Sequence, residues 1–115
     1  MFITITAGHS NTDPGAVNGS DREADIAQDM RNIVAAILRT DFGLEVKTDG
    51  EGKGNMPLRE AVKLIKGSRL AVEFHTNAAA KKEATGIEAL SIPKNKAACG
   101  GGRCQRLETA RRRRV

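Results

Sequence analysis

Apolar and polar residues alternate in four short stretches of the chain. Residues 2–7 read FITITA, with β-branched side chains through most of the stretch. The stretches LEVKT (44–48), RLAVEFH (69–75) and GIEALSI (86–92) have a similar character. A period of two with β-branched residues is typical of β-strands. The pattern therefore predicts four strands.

A period of three to four residues replaces this alternation in two segments. We expect an amphipathic helix over residues 22–40 that buries one apolar face. That face comprises Ile26, Met30, Ile33, Val34, Ile37 and Leu38. Residues 55–67 predict a second helix, with Asn55 as N-cap, Pro57 in the first turn and Gly67 at its end. Its predicted apolar face comprises Leu58, Ala61, Val62 and Ile65.

The predicted elements follow one another in the order β-α-β-α-β-β. Helical crossovers between the first three strands imply a mainly parallel sheet with right-handed connections. We therefore predict a single α/β domain over residues 1–93. Residues 8–21 are rich in Gly, Asn, Asp and Ser, which predicts a long loop of the kind that often carries function.

Residues 94–115 differ in charge and pattern from the rest of the chain. They hold eight of the 19 Lys and Arg residues and a single acidic residue, Glu108. They show no apolar periodicity, so we predict a basic, disordered tail. Their composition resembles a GC-rich reading frame translated out of register. We expect at most weak contact of the tail with anionic envelope polymers, and electrostatic binding to nucleic acid or a membrane is the competing hypothesis.

Composition argues against several other classes of function. Trp and Tyr are absent and only three Phe occur, so specific nucleic-acid recognition by base stacking is not expected. No apolar run reaches the roughly 20 residues that span a bilayer. The N-terminus lacks a basic region and a cleavage site, which predicts synthesis in the cytoplasm without a signal peptide. Cys99 and Cys104 form only a weak metal pattern, and nothing indicates an oligomeric state.

Three potential metal ligands fall at one edge of the predicted sheet. His9 follows the first strand, His75 ends the third, and Glu23 lies in the first turn of the first helix. Sites in open α/β sheets form beyond the carboxyl ends of the strands. Two imidazoles and one carboxylate suit Zn²⁺ and leave a fourth position for water, which is the catalytic pattern.

Each of these residues also has an ordinary structural interpretation. Ser20 and Glu23 have the spacing of a capping box. His9 could be a loop histidine bonded to the backbone, and His75 a residue that merely ends a strand. The convergence of all three at one edge favours the metal site.

Three stretches resemble the zinc-dependent N-acetylmuramoyl-L-alanine amidases of the Amidase_3 type. They are ITAGHSNTDPGAVNG, READIAQDM and LAVEFHTNAA...TGIEAL, in the order of that family and within residues 2–92. The resemblance implies hydrolysis of the amide bond between N-acetylmuramic acid and L-alanine in peptidoglycan. It implies Zn²⁺ held by His9, Glu23 and His75, with Asn77 just after the third ligand. The absence of a signal peptide resembles phage endolysins, which act on the bacterial cell wall.

One part of the family pattern is missing, which suggests truncation at the C-terminus. The family's catalytic glutamate lies on a late strand, in a stretch similar to VE.GF.SN that this sequence lacks. Glu73 and Asn77 are the remaining candidates for the catalytic set. Glu73 shares a strand face with His75 and is also a candidate to orient its imidazole, whereas Glu88 is interpreted as an ordinary strand residue. The sequence thus predicts an amidase of low activity, with an inactive cell-wall-binding remnant as the alternative.

Overall fold

The structure, a computed structural model, describes residues 1–10 and 12–76. It contains five strands and two helices in these ranges. They are β1 (Ile3–Ala7), β2 (Val17–Asn18), β3 (Asp21–Arg22), α1 (Glu23–Thr40), β4 (Val46–Thr48), α2 (Leu58–Ile65) and β5 (Leu70–Phe74). The predicted fourth strand at 86–92, Asn77 and the basic tail lie outside the described residues.

Strands β4, β1 and β5 form a parallel sheet with β1 in the middle. In the register of β1 with β5, Ile3 pairs with Leu70 and Ala7 with Phe74, so the two carboxyl ends are level. The N–H of Gly8 continues this pairing by donating to the carbonyl of Phe74 at 2.8 Å. The predicted α/β class with a parallel sheet and helical crossovers is confirmed. The loops that follow β1 and β5 therefore start side by side.

The hydrophobic core lies between α1 and one face of the sheet. Buried Ile5, Ala35 and Val46 form its centre, and partly buried Val72 and Phe74 pack against them. Neighbouring residues on a strand point to opposite faces. On the other face, the hydroxyl of Thr4 donates to the carbonyl of Leu64 in α2 at 3.2 Å. The two helices thus cover the sheet from both sides.

Helix α1 is rotated relative to the sequence prediction. Four residues of the predicted apolar face are exposed: Ile26, Met30, Ile33 and Ile37. The inward side instead carries a row of small and polar residues: Glu23, Ala24, Ala27, Gln28, Arg31 and Ala35. Glu23 and Arg31 lie on this row at helical spacing with the alanines. The side chains of Glu23 and Arg31 make their hydrogen bonds inside the protein, so α1 must turn this row of residues toward the interior. Val34 and Leu38 are partly buried, as expected.

Helix α2 is shorter than predicted, and Asn55 does not cap it. The N-cap is Pro57, with ψ of 150°, and no side chain caps the helix. Asn55 is two residues earlier, and its amide nitrogen donates to the last residue of β1 and to the loop after it. The helix ends before Gly67, whose φ of 86° confirms the predicted stop. Of its predicted apolar face only Ala61 is buried, while Leu58, Val62 and Ile65 are exposed.

The predicted loop at 8–21 contains a short hairpin of strands β2 and β3. Val17 pairs with Arg22 and Asn18 with Asp21, which leaves a tight turn containing Gly19. The hairpin ends at Arg22, and α1 begins at the next residue, Glu23. It therefore fixes where the helix begins. In the part of the chain described here, no helix has the length and apolar character needed to cross a membrane.

Candidate metal site

His9 lies two residues beyond the end of β1, in an unusual backbone conformation. Its φ is 65°, and among the described residues it is the one non-glycine residue with positive φ. This left-handed conformation costs on the order of 1 kcal/mol for a residue with a Cβ. The Nε2 of the ring lies 3.1 Å from Glu23 Oε2. The strain is thus located at a predicted site residue.

Glu23 is the first residue of α1, and its carboxylate is buried, with 5% of the residue exposed. The carboxylate accepts hydrogen bonds from the backbone N–H groups of Ala16 and Thr76, both at 3.0 Å. It therefore connects the loop before α1 to the end of β5. The alternative interpretation of Glu23 as part of a capping box does not hold: the N-cap is Arg22, with no side-chain cap, so Glu23 is not placed to close a box with Ser20.

His75 follows β5 directly, and carboxylates flank both of its ring nitrogens. Nδ1 lies 3.1 Å from Glu23 Oε1, and Nε2 lies 2.7 Å from Glu73 Oε1. The other oxygen of Glu73 accepts a hydrogen bond from the Thr6 hydroxyl at 2.9 Å. Glu73 is thus anchored to β1 while it holds the outer nitrogen of His75. This contact is the one that an orienting role of Glu73 requires, and the role itself stays a prediction.

The structure brings the three predicted ligands together. One donor atom from each of His9, Glu23 and His75 can be chosen such that all lie within 4.8 Å of one another. The two rings stand nearly perpendicular, with centroids 5.3 Å apart. Two imidazole nitrogens and a buried carboxylate form a donor set that suits Zn²⁺. The residues therefore fit a bound metal ion.

Electrostatics favour an ionised Glu23 in this group. Burial acts to raise the pKa of Glu23, but the hydrogen bonds from Ala16, Thr76 and His75 outweigh it and the pKa is lowered. For His75, burial acts to lower the pKa, while Glu73 and Glu23 raise it more, so the net pKa is above the usual value. Without a metal, two carboxylates thus favour a proton on His75. A metal ion would replace that positive charge.

Two glycines allow the rings to approach this closely. A Cβ at Gly8 would collide with the His75 ring. A Cβ at Gly15 would lie 2.6 Å from both Glu23 Oε2 and His9 Cδ2, and the φ of Gly15 is 70°. Glycine is therefore needed at both positions for steric reasons.

Sequence reasoning missed a further partner of His9. Asp13 Oδ2 lies 3.1 Å from His9 Nδ1, on the side of the ring opposite Glu23. The hydrogen bond with His9 lowers the pKa of Asp13, and the Gly15 N–H contributes further. The segment TDPGA contains this aspartate before a turn signal, four residues after His9. The spacing of four residues between His9 and Asp13 was the sequence feature from which this partner could have been found.

The fold and the site define an α/β protein with a candidate metal centre at the carboxyl edge of a parallel sheet, which is an arrangement suited to hydrolysis. Residues 3–112 match the Amidase_3 family, described as N-acetylmuramoyl-L-alanine amidase. The chain belongs to this family. The match also includes most of the segment that the sequence predicted as a tail.

A solved crystal structure is similar to this chain as well. It is described as an N-acetylmuramoyl-L-alanine amidase from Neisseria meningitidis, with 81% sequence identity and a TM-score of 0.75. The match covers 85% of this chain and 54% of the other, so this chain spans about half the length of that relative. No match was found among the curated proteins. The relative is bacterial, and the predicted likeness to phage endolysins is not supported.

Proposed function

We propose that the protein is a zinc-dependent peptidoglycan amidase that hydrolyses the bond between N-acetylmuramic acid and L-alanine. Zn²⁺ is held by His9, Glu23 and His75. The observation that carries this proposal is the convergence of these three donors within 4.8 Å in a member of the amidase family. The substrate is assigned through the family, and the protein acts on the cell wall.

The side chains around the site prepare it for a metal in a specific way. Asp13 lies against Nδ1 of His9, which leaves Nε2 directed toward Glu23. Glu73 lies against Nε2 of His75, which leaves Nδ1 directed toward Glu23. Each imidazole is thus held by an outer carboxylate and presents its other nitrogen to the centre, an arrangement common around protein-bound zinc. The bound metal would polarise the scissile carbonyl and lower the pKa of a water molecule.

Glu73 has two roles to be distinguished, orientation of His75 and proton transfer. Both of its oxygens are engaged, one by His75 and one by Thr6. We therefore assign it the positioning role. Asn77 remains a proposed member of the catalytic set, and contact of the basic tail with anionic envelope polymers also remains a prediction.

Metal content tests the site before any activity is measured. The wild-type protein, loaded with zinc and then dialysed against metal-free buffer, should retain one Zn²⁺ per chain by elemental analysis. His9→Ala, His75→Ala and Glu23→Gln should each lose it, because three protein ligands are required. Glu51→Gln is a matched control for the glutamate, since Glu51 is an exposed loop residue. Unchanged zinc content in His75→Ala would refute the proposed ligand set.

The reaction is tested on purified peptidoglycan. Amide hydrolysis should release new α-amino groups of L-alanine without new reducing sugar ends. Reducing ends instead would indicate glycoside cleavage and would contradict the assignment. Stoichiometric zinc without any product would favour the binding-only alternative.

A further inference from the structure

A buried guanidinium organises the loop that follows β4. The side chain of Arg31, in the middle of α1, is fully buried. Its Nη1 donates to Asp49 Oδ1 and Asn55 Oδ1, both at 3.0 Å, and its Nη2 donates to the carbonyl of Gly52 at 3.0 Å. Residues 49–55 therefore close around one side chain. None of these hydrogen bonds of Arg31 is made to a proposed metal ligand directly.

The same loop holds the end of β1. Strand β4 stops at Thr48, and the carboxylate of Asp49 then accepts the N–H of Ala7, with both oxygens at 3.2 Å. The amide nitrogen of Asn55 donates to the carbonyl of Ala7 at 3.3 Å and to the carbonyl of His9. The loop thus continues the sheet pairing beyond the last residue of β4 and extends it to His9.

These contacts act at the point where the backbone is strained. His9 has a φ of 65°, and such a conformation persists only where surrounding structure enforces it. The hydrogen bond from Asn55 fixes the carbonyl of His9 itself. The ring is held by Asp13 and Glu23, but neither of these bonds fixes the backbone carbonyl.

We infer that Asn55 is a positioning residue for the metal ligand His9, and that Arg31 and Asp49 hold Asn55 and β1 in place for this purpose. This inference rests on the proposed metal site. Asn55 acts through the backbone of His9 and determines where the imidazole lies.

The chain offers a matched control for this role. Asn32 also accepts hydrogen bonds from Arg31, from Nε and Nη2 at 3.1 Å, and donates to Gly52 at 2.9 Å. It therefore shares the guanidinium and the loop with Asn55. These bonds of Asn32 join α1 to the loop, whereas those of Asn55 continue to β1 and His9. Asn55→Ala and Asn32→Ala should both loosen the loop, but only the first removes the bond to His9.

The test compares these variants in zinc affinity, measured by competition with a chromophoric chelator. Asn55→Ala should bind zinc at least about 10-fold more weakly than Asn32→Ala, which is the range found for residues that orient metal ligands. Asn55→Asp keeps the acceptor for Arg31 and lacks the donor for His9, so it should show the same loss. In the metal-free protein, the backbone chemical shifts of His9 should move in Asn55→Ala and stay in place in Asn32→Ala.

The outcomes separate this inference from the proposed function. Wild-type protein without zinc binding would refute the metal site and with it the assignment of Asn55. Tight binding by the wild type, with equal affinities for Asn55→Ala and Asn32→Ala, would overturn the positioning role alone. Thermal unfolding of the metal-free variants checks folding. If Asn55→Ala does not fold, the zinc affinity of Asn55→Asp is used instead. An affinity equal to that of Asn32→Ala would also overturn the inference.

Discussion

At the scale of single residues, Glu73 has two candidate roles, orientation of His75 and proton transfer, which predict different effects of the same substitution. If Glu73 orients His75, Glu73→Gln should weaken zinc binding about 10- to 100-fold, because the outer nitrogen loses its carboxylate partner. If Glu73 moves a proton, zinc affinity should stay constant while turnover falls about 10²- to 10⁴-fold. We expect the first result. Chelator competition and peptidoglycan hydrolysis on the same preparation measure both quantities.

The charges around His75 predict a pH dependence of stability in the metal-free protein. The folded-state pKa of His75 is raised above its usual value of 6.5. Its contribution to stability is therefore fully present below pH 6.5 and is lost as the pH rises through the folded pKa. The pKa of Glu23 is lowered below 4.5, so its contribution is present above pH 4.5 and is lost in more acidic solution.

Melting temperatures recorded in chelator should accordingly fall as the pH rises above 6.5. His75→Gln should reduce this slope, because the titrating group is removed. With zinc present the trend should reverse, since metal binding requires the deprotonated imidazole. An unchanged slope in His75→Gln without metal would contradict the assignment.

Gly15 predicts a steric effect that can be separated from backbone strain. Gly15 and Gly19 both have positive φ, 70° and 62°. Alanine at either position costs on the order of 1 kcal/mol from the backbone. Only at Gly15 does the added Cβ meet Glu23 and His9, whereas nothing lies within 4 Å at Gly19. Gly15→Ala should therefore weaken zinc binding at least about 10-fold more than Gly19→Ala, a difference of about 1.4 kcal/mol. Equal affinities would show that the contact is not needed.

Helix α1 illustrates at the scale of elements how hydrophobicity alone mislocates a buried face. Ala27 is fully buried, while Ile33 is 59% exposed. Ala27→Leu should destabilise the fold by about 1–3 kcal/mol through overpacking. Ile33→Lys should change stability by no more than about 0.5 kcal/mol. Urea unfolding measures both changes in stability. A larger loss of stability for Ile33→Lys than for Ala27→Leu would favour the buried face predicted from the sequence.

The ion pair of Arg31 and Asp49 connects α1, β1 and the loop after β4, and so belongs to the scale of the whole molecule. Burial raises the pKa of Asp49, against the opposing effect of the Arg31 hydrogen bond, so the carboxylate depends on this partner. Arg31→Met should cost about 3–5 kcal/mol, because it leaves a buried carboxylate unpaired. Adding Asp49→Leu should cost less than the sum of the single changes.

The exposed pair of Glu60 and Lys63 provides the control, with 50% and 64% of the side chains accessible. Lys63→Met should change stability by less than about 1 kcal/mol. If Arg31→Met is equally mild in denaturant unfolding, the buried pair does not connect these elements as proposed.

The sequence by itself determined the elements and the candidate ligands of this protein. Alternation and helical spacing depend on local side-chain chemistry, so β1, α1, β4 and β5 could be predicted close to their bounds. Sites in open α/β sheets form beyond the carboxyl ends of the strands, and this rule predicted that His9, Glu23 and His75 lie together at one end of the sheet. These inferences need only the chain order and the period of the pattern.

The tertiary structure decided what no periodicity encodes. Asn55 has the sequence signature of a helix cap, yet its amide is engaged by Arg31, Ala7 and His9. The row of alanines on α1 is buried in place of its isoleucines, because buried hydrogen bonds of Glu23 and Arg31 set the rotation of the helix. Hydrogen bonds between residues distant in sequence outweighed local preference in both cases. An unsatisfied buried charge costs more than an exposed isoleucine, and this difference explains why the polar network determined the arrangement of the site.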